Sequence, residues 1–529
     1  MSNKAIDSDV AESSNNRSSF STDYQVGQDN IQPLGMDIHN AVFPISAICT
    51  LLFVTLTFIF PEQAGQIFGD LRPWLTTQLD WFFVISMNFF VLFCLFVAFS
   101  KTGRIRIGGQ DAKPDFSYLG WLAMLFSAGI GIGLMFFGVL EPVNHALSPP
   151  LGVEAGSPEA EGLGVAAAVY HWGLHAWAVY AVVGLSLAYF CFNHGLPLTL
   201  RSAFFPILGD RVWGIPGHII DTLAVFATIF GLATSLGYGA EQVAAGLDHL
   251  FGIPVTDNVK VVLIVGITLI AIGSVVAGLE AGVKRLSEIN MIMAIMLLVF
   301  VLLAGSTFEV LGRFFSGAVD YITYLAPLSN PVDREDTGFF HGWTTFYWAW
   351  WVAWSPFVGM FIARISKGRT IREFMISVLI VPTIFCLLWM SVFGGTAMEQ
   401  MADGYDGVKD TISNWTPELS LYMLLEALPW SFIVSTISLA LIVIFFVTSS
   451  DSGSLVIDTI TAGGIMNPPV PQRVFWCTFE GLVAIALLLG GGLASLQAAT
   501  ISTGFLFAIV LLAMCYGLYR GISEDAKAL

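Results

Sequence analysis

The sequence predicts an all-α polytopic membrane protein with twelve transmembrane helices, and three observations predict it. Apolar residues make up 56% of the 529 positions and charged ones only 12%, with a mean hydropathy of +0.76, a balance that excludes a water-soluble globular protein. Uncharged apolar runs recur along the chain, each long enough for at least one membrane helix, which takes roughly 20 residues. Two of these runs, five apart in order, are interrupted by glycine or proline, the pattern of a transporter built from two inverted halves. A β-barrel needs short alternating segments, and these runs do not alternate.

Residues 1–36 are polar and rich in Ser, Asn and Asp, with no apolar core for a cleavable signal. They are expected to form a disordered cytoplasmic tail. The transmembrane domain follows from 37 to 529. Runs at 38–61 and 81–100 give two peripheral helices within 37–115, closed by the basic interfacial segment GRIRIGGQDAK. The next five (116–140, 162–200, 222–240, 261–278 and 289–308) fall in a first repeat, 116–336, which ends in a long outer connection from Glu309. Runs at 337–363, 374–398 and 427–450, a span at 474–491 holding only Glu480, and the run ending at 519 make a second repeat, 337–519. Helices 3–7 and 8–12 thereby form two five-helix units of opposite orientation, and residues 520–529 form a short C-terminal tail.

Orientation follows from basic residues in the loops. Thirteen Lys and Arg lie on the even-numbered side against five on the odd-numbered side, so both termini are placed in the cytoplasm. The six cysteines are scattered singly within spans and show no metal or disulfide spacing.

The third span contains SAGIGIGLMFFG, with Gly129, Gly131, Gly133 and Gly138 where each glycine costs about 1 kcal/mol of helix propensity. Close helix packing is one reading. The sharper one is an unwound midpoint whose free amides hold an anion and whose carbonyls hold a cation. The fourth span carries HWGLHAWAVY, and on a continuous helix Trp172, Trp177 and Tyr180 share a concave sector. His171 and His175, four apart, offer half a zinc site at most, because no acidic or cysteine partner stands beside them in sequence. An intramembrane enzyme using His171, His175 and Asp451 is disfavoured for the same want of a complete ligand set.

The eighth span holds five of the fifteen tryptophans between Trp343 and Trp354, and Tyr347, Trp351 and Trp354 share one helical face. Pro356 is expected to break this helix, with Gly359 one turn later. Trp172, Trp177, Tyr180, Trp351 and Trp354 then make an electron-rich cage without a carboxylate. Such a cage suits a methylated onium cation, each π face contributing up to about 2 kcal/mol when desolvated. With the amides of Gly129, Gly131 and Gly133 meeting an anionic end, the implied ligand is a zwitterion. The tenth span ends FFVTSSDSGSL, where Thr448, Ser449 and Asp451 are unusually polar for a membrane helix.

These residues resemble the betaine/carnitine/choline transporters. WAWWVAWSPFVGMFIARISKGRTIREF, AGIGIGLMFFGVLEPVNH and HWGLHAWAVY carry the resemblance, which runs from helix 1 to helix 12. It implies a leucine-transporter-type inverted repeat, a homotrimer in the bacterial inner membrane, and secondary uptake of a small quaternary ammonium or sulfonium compound. Trp172, Trp177, Tyr180 and Trp351 match the family's aromatic box, and Trp354 the tryptophan on its cytoplasmic side. Sodium is the coupling ion that the resemblance implies, with no other cofactor and no nucleic-acid partner. Backbone oxygens near Ser127 and Ile130 and the hydroxyls of Thr448 and Ser449 match one sodium site. Thr228 and Phe357 match a second, where Leu232 replaces the other threonine. Proton-coupled choline members often carry an acidic residue in the glycine stretch, and Gly133 keeps it neutral, favouring a zwitterion such as glycine betaine or dimethylsulfoniopropionate. A proton-coupled choline or carnitine carrier is the alternative. The chain stops at GISEDAKAL, so activation through a long basic C-terminal helix is expected to be absent.

Overall fold

A computed structural model describes residues 20–128, 131–277 and 284–527. Burial begins at Phe20, whose ring sits against Phe190 and His194, and Tyr24 stacks on Trp213 at 4.3 Å. A short antiparallel pair, β1 (Asn30–Ile31) and β2 (Ile38–His39), then brings His39 under the first helix. The tail expected to be disordered through residue 36 is therefore packed on the helical body from Phe20 onward, because rings in a polar segment supply apolar area to bury.

Helix α1 (Val42–Ile59) starts where Nδ1 of His39 accepts the amides of Ala41 and Val42 at 3.2 and 3.3 Å, satisfying donors that a helix start leaves free. A proline-initiated helix α2 (Pro61–Gln78) leads into α3 (Asp80–Phe99). The glycine-rich span is split into α4 (Tyr118–Ala128) and α5 (Ile132–Leu147). Next come α6 (Pro158–Trp172), with Ser157 accepting the amide of Ala160 as its cap, and α7 (Leu174–His194). The long α8 (Ile215–Phe251) ends on left-handed Gly252, and α9 (Asp257–Ala277) and α10 (Lys284–Ala304) follow. The outer connection forms α11 (Thr307–Ser329).

The second half opens with a five-residue π-helical turn, Phe340–Thr344, running into α12 (Thr345–Ile365). Thr370 and Glu373 form a capping box on α13 (Ile371–Ala402). Two short helices, α14 (Gly407–Ser413) and α15 (Ser420–Glu426), precede α16 (Ser431–Thr461), α17 (Val470–Leu489) and α18 (Gly492–Asp525).

Ten helical segments among the described residues are long and apolar enough to cross a membrane, the α6–α7 segment counting as one. The two expected spans outside that set are those marked as interrupted: the split pair α4–α5, and α12, whose tryptophans and hydroxyls lower its hydropathy. Burial separates centre from rim. The most apolar windows of the α6–α7 segment and of α8 are 89% and 83% buried, whereas those of α1, α9 and α10 are 33%, 28% and 28% buried and present their apolar sides outward. Helix α12 lies in the centre, packed on α7, α8 and α18.

Two expected details are corrected. Pro356 does not break the tryptophan helix, which runs from Thr345 to Ile365. Proline removes the donor for the carbonyl four residues back, but the Ser355 hydroxyl donates to that same Val352 oxygen at 2.7 Å. The fourth span, expected to be continuous, is broken at Gly173 (φ −98°, ψ −130°). Side chains from other helices complete that break: the Trp351 indole donates to the His171 carbonyl at 2.7 Å and the Tyr321 hydroxyl accepts the Leu174 amide at 3.3 Å.

Candidate substrate site

Trp172, the last residue of α6 before the Gly173 break, and the extended Gly131 ahead of α5 border one cavity of about 50 Å³. The end of α6 supplies Trp172, α7 supplies Trp177 and Tyr180, and α12 supplies Trp351 and Trp354. Gly131 and Gly133 line the same cavity, so seven of the eight expected substrate-binding residues meet there. The eighth, Gly129, lies outside the described residues, as does Ile130. Gly131 is fully extended (φ −167°, ψ −175°), which places non-helical backbone at the cavity wall as the unwound reading requires.

The rings are arranged edge to face. Trp172 and Trp351 centroids are 4.7 Å apart at 68°, Trp177 and Tyr180 5.3 Å at 86°, and Tyr180 and Trp351 6.4 Å at 78°. Trp350, not singled out from the sequence, stacks on Trp351 at 4.9 Å and 12° and lines the cavity. Both Trp350 and Trp354 donate to the Gly231 carbonyl, at 3.3 and 2.8 Å. A Cβ at Gly231 would lie 2.9 Å from Trp354 Cδ1 and 3.2 Å from the Ala353 backbone, so α8 and α12 approach closely only because residue 231 has no side chain. Gly133 plays the same part on the other wall, where a Cβ would run into the Trp172 ring and sit 3.4 Å from Trp350.

The main feature missed in sequence is a carboxylate. Glu141 of α5 is fully buried directly behind the box. Its Oε2 accepts the Trp172 indole N–H at 2.8 Å and the Tyr347 hydroxyl at 2.6 Å. Its Oε1 lies 2.5 Å from His171 Nδ1 and 3.3 Å from His145 Nε2, and His171 Nε2 meets the Thr344 hydroxyl at 2.9 Å. The cage described as lacking a carboxylate thus has one against its back, and His171, read as lacking an acidic partner, has one 30 positions upstream. The uncharged run ends at residue 140, which makes Glu141 look like a boundary. The helix in fact continues to Leu147, and a lone ionisable residue within a membrane span was the available signal.

His175 does not join His171. Beyond the Gly173 break it pairs with Asn88 at 2.9 Å and stacks on Trp348 at 5.2 Å. Glu141, His145 and His171 are the grouping of His, Cys, Asp or Glu close enough to share a metal ion among the described residues, but their polar atoms are already engaged with one another and with neighbouring side chains.

Among the described residues, the expected sodium ligands fall on α4, α8, α12 and α16. The Thr448 hydroxyl donates to backbone carbonyls of its own helix at 3.0 and 3.2 Å and accepts from Asn290 at 3.4 Å, beside half-buried Ser449. Ser127 is the penultimate residue of α4. Thr228 donates to the Ala224 carbonyl of its own helix at 2.7 Å, and Phe357 packs edge-on against Trp354 at 5.3 Å. Asp451 is hydrogen-bonded by Ser274.

A second cavity, of about 340 Å³, lies on the Trp343 side, with Tyr238, Phe346 and Trp415 in its wall and Arg72 and Gln497 as polar groups. Phe137 lines it and also contacts Trp172, Tyr347 and Trp350, with centroids at 6.1, 5.5 and 6.0 Å.

The family model for BCCT, the betaine/carnitine/choline family of transporters, matches residues 41–527. A "Glycine betaine/proline/choline transporter" of Vibrio parahaemolyticus is 55% identical over 96% of this chain and 95% of its own length. A "Glycine betaine transporter 1" of the same organism is 50% identical over 96% and 98%. A "Glycine betaine transporter" of Acinetobacter baylyi is 41% identical over 93% of this chain and 74% of its own length.

Proposed function

The chain belongs to the betaine/carnitine/choline transporter family, and on that premise we propose that it is a secondary active importer of methylated onium zwitterions, glycine betaine or a close analogue such as dimethylsulfoniopropionate. The observation that carries this reading is the shared cavity of Trp172, Trp177, Tyr180, Trp351 and Trp354 with Gly131 and Gly133. A trimethylammonium or dimethylsulfonium group offers no hydrogen-bond donor and is held by π faces within about 6 Å of their centroids. The extended backbone at Gly131 is then available to the carboxylate. Trp172 and Trp351 touch each other edge to face, so an onium group seated between them must part them.

Sodium is proposed as the coupling ion, held between the α4 end near Ser127 and Ile130 and the Thr448 and Ser449 hydroxyls of α16. Thr228 and Phe357 mark a second site, and apolar Leu232 beside Thr228 argues that it is weaker than the first. The proposed arrangement is twelve helices in inverted repeats, 116–336 and 337–519, within a homotrimer in the inner membrane. Both termini face the cytoplasm, which the excess of basic residues on the even-numbered loops supports.

The test is uptake of labelled glycine betaine, dimethylsulfoniopropionate, choline and carnitine into proteoliposomes under separate sodium and proton gradients. Sodium-driven betaine uptake that falls in Trp351→Ala is expected. Uptake indifferent to sodium, or to Trp351→Ala, would overturn the reading. Choline uptake driven by protons alone would favour the alternative carrier.

A further inference from the structure

The four contacts of Glu141 define its charge. Trp172 gives it an N–H, which can only donate, and the Tyr347 hydroxyl donates an O–H to the same oxygen. On the other oxygen, His171 Nδ1 and His145 Nε2 complete the set. One arrangement that satisfies every group has N–H donated to Glu141 by each ring, His171 Nε2 accepting from the Thr344 hydroxyl and His145 Nδ1 facing the Asn144 amide. Both histidines are then neutral and the carboxylate is ionised. No Lys or Arg forms an ion pair with it among the described residues. The result is one uncompensated negative charge, fully buried, at the edge of a box ring. The other indoles of the box with a partner, Trp351 and Trp354, meet neutral backbone carbonyls.

A buried charge in a poorly screened setting acts beyond its hydrogen bonds. Behind Trp172 it polarises the indole and attracts a cation on the ring's face. A ligand with net charge +1 feels that attraction alone, whereas a zwitterion carries a carboxylate that feels the opposite force. The glycine stretch has no acidic side chain, so Glu141 is the negative charge available to hold an onium ligand that brings none of its own.

We propose that Glu141 is the specificity-determining residue that lets this box accept choline, an onium alcohol without a carboxylate, and that sets its preference relative to glycine betaine. This rests on the box being the cation site. Removing the charge while keeping the shape, Glu141→Gln, raises the choline constant by about tenfold and the betaine constant by about threefold or less. Glu141→Asp keeps the charge and holds the choline-to-betaine ratio within about twofold of the parent protein, even where both constants drift because the shorter chain holds Trp172 less well.

The assay is labelled betaine uptake into proteoliposomes, with choline read both as a labelled substrate and as a competitor. Equal shifts for the two ligands in Glu141→Gln would reduce Glu141 to a scaffold for Trp172 and overturn the inference. So would an unchanged choline constant, or a choline that does not compete in the parent protein. Should Glu141→Gln fail to reach the membrane, Glu141→Asp decides: a preserved ratio supports the inference and a ratio shifted toward betaine overturns it. Trp351→Ala separates the two readings. If it leaves betaine uptake intact, the box reading itself fails; if it cripples uptake while Glu141→Gln moves both ligands equally, only the present inference fails.

Discussion

A single added methyl group tests the box most directly. In Gly133→Ala the new Cβ would collide with the outer edge of Trp172, 3.2 Å from its Cζ3 and 3.4 Å from Trp350 Cη2. Carbon atoms pack at about 3.5–4.0 Å, so the indole must retreat by about 1 Å. Its N–H is fixed to Glu141 at 2.8 Å, and a retreat of that size carries the bond past its useful length of about 3.2 Å. Loss of a hydrogen bond to a charged group costs about 1.5–3 kcal/mol, and the displaced face gives up part of its cation–π attraction of up to about 2 kcal/mol. At about 1.4 kcal/mol per tenfold, the betaine constant is expected to rise ten- to a hundredfold. Initial uptake rates over a range of betaine concentrations, normalised to the protein in the vesicles, give that constant. A value within about twofold of the parent, with Trp172 unmoved, would refute the reasoning that the ring position sets affinity.

Three further outcomes follow from the packing. Gly231→Ala inserts a methyl group 3.2 Å from the Ala353 backbone, and overpacking of about 1–3 kcal/mol should lower the thermal midpoint of the detergent-purified protein; an unchanged midpoint would show that α8 and α12 have room to part. Ser355→Ala leaves the Val352 carbonyl without its donor, costing about 1 kcal/mol, and the same change should cost less in a Pro356→Ala background, where a backbone N–H is restored; equal costs in both backgrounds would contradict this. Burial first, then the charges of Arg201 and His218, push the His39 imidazole down from its ordinary 6.5 to about 3. The folded chain thus keeps it neutral while the unfolded chain takes up a proton near 6.5, so stability present above 6.5 falls as the pH drops toward 3. Melting curves across that window should show the loss, and His39→Asn, which retains a capping acceptor, should flatten it.

The membrane class and most of the span boundaries were legible because hydropathy is a sum over many residues and survives local error. The box was legible for another reason: indoles in an uncharged run are few and point to few chemistries. Less accessible was any feature made by a partner distant in sequence. Pro356 looks like a break until Ser355 is seen donating to Val352. Gly173 looks harmless until Trp351 is found on the His171 carbonyl. The helical wheel that grouped Trp172 with Trp177 and Tyr180 assumed a continuous helix, and the three rings meet across a break instead. Glu141 was hidden by a rule that reads charge as the end of a span, and it is satisfied by donors up to 206 positions away.

The ring of Phe137 stands between the two cavities, touching Trp172, Tyr347 and Trp350 on one side while forming part of the larger hollow on the other. The partition there is two rings thick, since Trp172 and Trp350 rather than Phe137 line the substrate cavity. Phe137 is itself buried, at 4% exposure, so its turn is slower than the picosecond-to-nanosecond flips of exposed side chains. A path between the two hollows therefore requires packed rings to turn together, Phe137 with Trp172 or Trp350.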